Sequence, residues 1–497
     1  LRQVAPLADG GLAGEAGMLA GEIELRRGNP SVAAAELIST ARRLVPDHRR
    51  LAATTLMLAG EASFVAGDNA RYCAMAQDAA RIRAFDELPA TRVVLEHFAA
   101  MSATFSGRHH DAAEPLRRVV DLGDATLDPS AKTLASQAAF TLGEAPRART
   151  LAVQAVTSAR ARGELAEVPW SMIYVAMSEM LSGQLATATA TSLEALQLAE
   201  SLGQSNSAVD HLTVLAMLAA LQGDQETAGL RLAAASAGYV ERGLSRPGAL
   251  GTWAAACVDL AHDRPAEALD RFRRMSLGQS RHCSPIRVMA VPHFVEAAVR
   301  CGEREAAYGA LTAFERWATT TGGASRIALA HRCRALLAEH EGEAEEHFTE
   351  AMRLHRESDS PHDLAGTEML YAARLRRNRR PKQAREVLRE AVQIFDELGA
   401  RHWVDRAWRE LRACGHPGPP GRAPAEAATP RGRGRPGGVG DLSPQQEQIA
   451  ALVAEGATNR EIAARLYISH RTVDHHLRNI FAKLDIRSRV ELTKLYR

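Results

Sequence analysis

The sequence predicts an all-α protein: a long solenoid of stacked helical hairpins, a flexible tether, and a small C-terminal domain of four helices. Three observations carry this prediction. Residues 1–413 lack the alternation of a strand and place their apolar side chains at helical spacing. Over the same stretch, turn signals return about every 40 residues, which marks a repeat array. The composition then shifts to a segment rich in Gly, Pro and Arg, and after it to a run dense in helix-capping signals.

At 497 residues the chain exceeds one compact core, so several domains or an array are required. Aromatics make up only 5% and alanine is abundant, which favours close helix packing over a β-rich core. The net charge of +2 is uneven. Residues 415–497 carry 13 Lys/Arg against 8 Asp/Glu, so the remainder is at −3 and the polyanion-binding end is C-terminal. The six cysteines form no C-x-x-C pair and have no zinc-ligand spacing with histidine, so no metal is assigned. Scattered cysteines fit a reducing cytosol, and neither a membrane-spanning run nor a signal peptide is present, so the expected location is cytoplasmic.

Within residues 1–413 the turn signals are Gly28, Gly67, Gly107, Gly143, Gly183, Gly223, Asp263, Gly302, Gly342 and Asn378. An apolar helix such as His211–Leu221 or Gly251–Ala261 precedes each turn. An amphipathic, alanine-bearing helix such as Glu226–Val240, Pro265–Met275 or Pro381–Leu398 follows it. One such hairpin cannot bury its own apolar face, so the units must stack. About ten units of this kind resemble the tetratricopeptide class of α-solenoid, with a longer unit than the usual ~34 residues. A non-repetitive helical bundle is the alternative. The array is expected to sense an inducer or a regulatory protein, or to self-associate.

Residues 414–440 form the linker. Gly415–Gly440 contains eight Gly and six Pro, has no periodicity, and reads as a flexible tether. Within it, Arg433-Gly434-Arg435-Pro436 resembles an AT-hook, whose arginines enter a narrow minor groove. The alternative is a basic tether that adds non-specific phosphate attraction.

Residues 441–497 read as four short helices. Ser443, Pro444 and Gln446 supply an N-cap, a proline at the first helical position and a capping-box partner. Thr458 with Glu461 and Ser488 with Glu491 repeat the box, Ser469 can cap the remaining helix, and Gly456 sits where the first helix should end. In the third helix Val473, Leu477, Ile480, Phe481 and Leu484 form one apolar face. The preceding helix buries Ile462, Ala463 and Leu466, and only Tyr467, Ile468 and Ser469 separate the two. Two amphipathic helices joined by a short turn make a helix-turn-helix. The opposite face offers Arg471, His475, Arg478 and Asn479, flanked by Asp474 and Lys483, groups that reach base edges and phosphates from a helix in the major groove. Asp474, His475 and Arg478 are the candidate base readers. Ser469, Arg471, Thr472, Asn479 and Lys483 are the candidate backbone contacts, and Arg433 and Arg435 the candidate minor-groove contacts.

The run Leu442-Ser443-Pro444, Glu455-Gly456, Asn459-Arg460-Glu461-Ile462-Ala463, Ile468-Ser469, Thr472-Val473, His476, Asn479-Ile480 and Lys483-Leu484 resembles the DNA-binding domain of the LuxR family of bacterial transcription regulators. Asp474 stands where that family often has lysine, and Asp485 where it usually has glycine. The resemblance implies binding to double-stranded promoter DNA, work with RNA polymerase as an activator, and pairing on adjacent half-sites. It assigns the dimer contact to the last helix, at Val490, Leu492 and Leu495, the alternative being that these residues cover the domain's own core. It also implies that such a reader and sensor often follow an ATPase module. This chain contains no G-x-x-x-x-G-K-[ST], G-x-S-x-G or H-E-x-x-H, so it reads as non-enzymatic and without a cofactor, ATP entering only if an ATPase lies upstream of Leu1. A repeat scaffold with secondary DNA binding and a truncated ATP-dependent switch are the competing readings.

Overall fold

The computed structural model describes residues 10–82, 88–277, 285–416 and 442–496. Helices α1 to α22 run in chain order from Gly10 to Ala413, and helices α23 to α26 from Pro444 to Leu495. Among the described residues there is no strand. The expected solenoid and C-terminal four-helix domain are both present. Arg433 and Arg435 lie outside the described residues, as does most of the linker.

The repeat has a simple local origin. In the middle of the array each helix spans 17 residues, as in α10 (Leu185–Ser201), α11 (Ser205–Leu221), α12 (Gln225–Glu241) and α13 (Ser245–Ala261). Each ends in a left-handed residue. Gly143, Gly163, Gly183, Gly203, Gly223 and Gly243 all have φ between +65° and +85°, a region that costs a side-chain-bearing residue ~1–2 kcal/mol. Asp263, at φ 64°, takes the same role, its short polar side chain making αL tolerable. The turns therefore recur every 20 residues, alternately within and between hairpins. Two expected turns differ. Gly342 lies inside the helix Glu341–Glu357, and Arg379 rather than Asn378 is the left-handed residue.

The second helix of each hairpin repeats one alanine at its crossing point. Ala148, Ala188, Ala228 and Ala268 are 40 residues apart and fully buried. Only a methyl group fits where two backbones approach this closely, so the alanines set the repeat as much as the turns do. The first helices are buried almost all round. In α9 (Val168–Leu181) every residue from Val168 to Met180 is buried, so their hydrophobic character has no polar stripe.

That burial needs more than sequence neighbours, because successive turns of the superhelix touch. Arg26 Nη2 reaches Glu167 Oε1 at 3.1 Å, Asn206 Nδ2 donates to Leu25 O at 2.7 Å, and Arg246 Nη1 meets Glu61 Oε1 at 2.7 Å. Further along, Arg326 donates to Thr141 O at 2.5 Å and Phe140 O at 2.6 Å, and Trp403 Nε1 to Leu221 O at 2.9 Å. These partners lie 141 to 186 residues apart, which is about four hairpins of a 40-residue repeat array. The solenoid is therefore wound tightly enough to pack on itself. Arg326 is fully interior, stacked 3.5 Å from the centre of the Trp317 ring, and burial pushes its pKa down to about 9.

Candidate nucleic-acid interface

The C-terminal domain is built by its caps. In α23 (Pro444–Ala454) Ser443 and Gln446 form the full reciprocal capping box, with Ser443 N–H donating to Gln446 Oε1 at 3.0 Å. Thr458 and Glu461 form a second box at the start of α24 (Asn459–Arg465). At α26 (Arg489–Leu495) the box is only half made. Ser488 accepts from the Glu491 amide, but the Glu491 carboxylate turns back to the Arg487 N–H at 2.9 Å. Gly456, at φ 92°, follows the end of α23 as expected.

Four residues, Leu466 to Ser469, join α24 to the third helix, α25 (His470–Leu484). Tyr467 makes the turn in left-handed conformation at φ 49°. Ile462, Leu466, Ile468, Val473, Leu477, Ile480, Leu484 and Leu492 form the core between the helices. The helix-turn-helix is thus held by aliphatic packing on one side of α25, and the other side carries the polar residues. Asp485 closes α25 in αL conformation, φ 53° and ψ 40°, at the position where glycine was the family expectation.

The candidate residues separate into distinct groups. Arg471, Arg478 and Lys483 are exposed along α25. Arg478 Nε folds back on Asp474 O at 3.3 Å, which leaves its two terminal nitrogens outward. His475 Nε2 and Asn479 Nδ2 are 3.0 Å apart, one turn from each other. Burial, then Arg401 and Arg478, lower the His475 pKa, so this ring is neutral and offers one donor and one acceptor. Ser469 is buried as the N-cap, its Oγ 3.0 Å from the Thr472 amide and 2.8 Å from the Thr472 hydroxyl. Both side chains are therefore committed to the cap, and it is the helix N-terminus itself that faces outward.

Two of the candidates have local duties that sequence reasoning missed. Both Asp474 carboxylate oxygens are engaged, Oδ1 accepting from Asn459 Nδ2 at 2.6 Å and Oδ2 lying 3.3 Å from His470 Nδ1. Asn459 in turn accepts from Arg489 at 2.8 Å, so Asp474 ends a polar chain linking α24, α25 and α26. Lys483 Nζ donates to Gln446 Oε1 at 3.0 Å and so ties α25 to the α23 cap. No sequence spacing announces either link, because both join residues through the tertiary fold.

The dimer assignment needs one correction. Leu492 is fully buried in the domain's own core, whereas Val490 and Leu495 are 64% and 50% exposed. A side chain that completes the core cannot also meet a second copy without unfolding, so Leu492 leaves the contact set.

The domain rests against the solenoid. Tyr467 Oη donates to Glu200 Oε1 of α10 at 3.1 Å. His476 is pushed down to about 4, first by burial and then by His475 and by Arg401 of the solenoid, with Asp224 opposing. The turn before α25 thus meets α10, while α25 itself lies near Arg231 of α12 and Arg401 of α22 (Arg401–Ala413). Among the described residues no His, Cys, Asp and Glu cluster could hold a metal, and no helix is long and apolar enough to cross a membrane.

Comparison with known proteins agrees with this geometry. Residues 441–496 match the family described as bacterial regulatory proteins, luxR family. A protein of Mycobacterium bovis named as an HTH-type transcriptional regulator is 44% identical over 92 residues, which is 18% of this chain and 10% of that protein. The chain thus spans a tenth of that relative's length. The transcriptional regulatory protein LiaR of Bacillus subtilis is 42% identical over 50 residues, 10% of this chain and 24% of that protein. A Rap protein solved in complex with competence and sporulation factor superposes with a TM-score of 0.43 at 12% identity, over 78% of this chain and 98% of that one. Residues 441–496 are a helix-turn-helix domain of the luxR family of bacterial regulatory proteins.

Proposed function

We propose that this chain is a sequence-specific transcription regulator that binds double-stranded promoter DNA through α25 and acts with RNA polymerase as an activator. The observation that carries the reading is the two-sided α25: an aliphatic face locked in the core, and an exposed Arg471–Arg478 face beginning at a capped helix N-terminus. Arg478, with neutral His475 beside it, is the proposed base reader, because a guanidinium fork matches guanine O6 and N7. Arg471, Asn479, Lys483 and the N-terminal amides of α25, held by Ser469 and Thr472, are assigned to phosphates. Asp474 contributes by holding α25 in register through Asn459, and its readout of a cytosine amine would require that bond to open. Val490 and Leu495 are proposed to meet a second copy on an adjacent half-site. The solenoid is the sensor of an inducer or partner. Nothing in this reading calls for catalysis or a cofactor.

A tethered reader can be controlled in two ways: a self-associating solenoid gathers readers together, or the solenoid masks them. The Tyr467–Glu200 hydrogen bond and the approach of α25 to Arg401 favour masking. In this mode the sensor releases the reader on its tether, and release exposes the DNA-binding face.

Selection of bound sequences from random duplex DNA tests the function, with Arg478→Ala alongside. The variant should lose ~1–3 kcal/mol of affinity and relax specificity at one position. An equal loss on all sequences would reduce Arg478 to a phosphate clamp, and no enriched site for the parent protein would favour the scaffold reading.

A further inference from the structure

Between helices of the solenoid lies a partly open pocket that belongs to two superhelical turns at once. Its walls come from α3 (Arg49–Ala66) and α7 (Pro129–Leu142) on one turn and from α9, α11, α13 and α15 (Pro285–Met289) beyond. Most of the lining is apolar or aromatic, with Phe64, Phe140, Tyr174, Met177 and Met289 prominent. A smaller chamber adjoins it and shares Phe64 and Gln137.

At the junction sits a buried charge cluster. Arg246 Nη1 is 2.7 Å from Glu61 Oε1 and its Nη2 is 2.7 Å from Asp210 Oδ2, with all three side chains no more than 10% exposed. The guanidinium lies over the Phe64 ring, 5.2 Å from its centre. One cation between two carboxylates leaves an excess of one negative charge in an apolar, aromatic surrounding. Among the described residues that line either chamber, nothing offsets it. Glu61, Asp210 and Arg246 are the charged side chains there, and the His97 ring is neutral, burial pushing its pKa down to about 3. Arg26, which also senses Glu61, is already shared between Glu22 and Glu167.

An uncompensated buried charge is costly, and a ligand that supplies the missing opposite charge recovers that cost. Carboxylate lone pairs remain available after Arg246 has donated, while three of the five Arg246 N–H groups already point at the two carboxylates. Aromatic walls add cation–π attraction for a positive centre and dispersion for an apolar body. An anion would meet two carboxylates beside a single guanidinium that already donates to both. We propose that this cavity is the effector site, and that it takes a small organic cation with an apolar, preferably aromatic, body. The site deepens the sensor role proposed above and rests on it. Because the ligand would contact α3 and α13 together, occupancy would clamp one turn of the solenoid to the next.

The test uses the full chain without DNA, so its outcome is independent of whether a promoter is read. Phenethylammonium, phenethyl alcohol and phenylacetate share one shape and differ in charge, and calorimetry with thermal unfolding compares them. The ammonium should bind at least ~10-fold more tightly than the alcohol and raise the melting temperature, and phenylacetate should not bind. Glu61→Gln should erase the preference for the cation while Arg246 keeps Asp210. Should that variant fail to fold, Met289→Trp fills the chamber without touching the charges and should abolish binding. Equal affinity for all three probes, preference for phenylacetate, no binding up to ~10 mM, or an unaltered affinity in Met289→Trp would each overturn the assignment.

Discussion

Val490 and Leu492 stand two positions apart on one short helix and have opposite fates, 64% exposed and fully buried. Both are apolar, and a helix of seven residues is too short for its periodicity to say which one the core claims. Leu492→Asp should therefore unfold the reader, costing more than the ~2–5 kcal/mol of a Leu→Ala change in a core, and far-ultraviolet circular dichroism of residues 441–497 would report it. Val490→Asp should keep the fold. The caps were legible in the sequence because their partners lie three residues apart, whereas the Asn459–Asp474 and Lys483–Gln446 bonds were not. Buried histidines were equally silent. Burial lowers His97 to about 3, and His211, His293 and His355 to about 4. Each is neutral when folded and protonates near pH 6.5 when unfolded. The unfolded state then binds more protons, so stability is complete above that pH and falls as pH drops toward 4, by up to ~1.4 kcal/mol per unit for each histidine. Urea unfolding at pH 7.5 and 5 should show the drop, and equal midpoints would refute it.

At the scale of an element, α25 shows what the sequence could decide alone. Its apolar stripe, its cap and its left-handed end all follow from local chemistry, including Asp485 at φ 53°. That residue still carries strain, so Asp485→Gly should stabilise the reader by up to ~1 kcal/mol, seen as a higher melting temperature. The repeat helices were harder to bound. His211–Leu221 was expected, but α11 begins six residues earlier at Ser205, because Asn206 and Asp210 are buried polar residues, the first paired with Leu25 of another turn and the second with Arg246 of the adjoining hairpin. Polar residues that look like a loop were the first turns of a helix, since their partners are 181 and 36 residues away in the fold rather than in solvent. The 40-residue period survived this because turns and crossing alanines, not helix ends, carry it.

At the scale of the molecule, the winding of the solenoid on itself left no trace in local pattern, and it changes what the array can do. A plain repeat array has only nearest-neighbour coupling. Here Arg26 of α1 (Gly10–Arg27) supports Glu167, 141 residues away. Arg26→Met leaves that half-buried carboxylate with only the Ser130 hydroxyl, 3.1 Å from Oε2, which should cost up to ~3–5 kcal/mol. Hydrogen exchange should quicken around residues 165–181 as well as in α1; protection lost in α1 alone would mean that the turns are uncoupled. The docked reader makes a second claim at this scale. Glu200→Gln or Tyr467→Phe should loosen the solenoid contact and raise the affinity of the intact chain for its operator, approaching that of the isolated 441–497 fragment. A fragment that binds no better than the whole chain would instead support gathering of readers over masking.

The touching turns also set how the molecule answers to force. An open superhelix stretches as a spring does, its pitch widening smoothly because nothing spans the gap between coils. Here the gap is riveted by Arg26–Glu167, Arg246–Glu61, Arg326 on Phe140 and Thr141, and Trp403 on Leu221. Pulled from its ends, such a coil should stay stiff until the rivets shear and then lengthen abruptly, hairpins peeling off a body that no longer recloses under load.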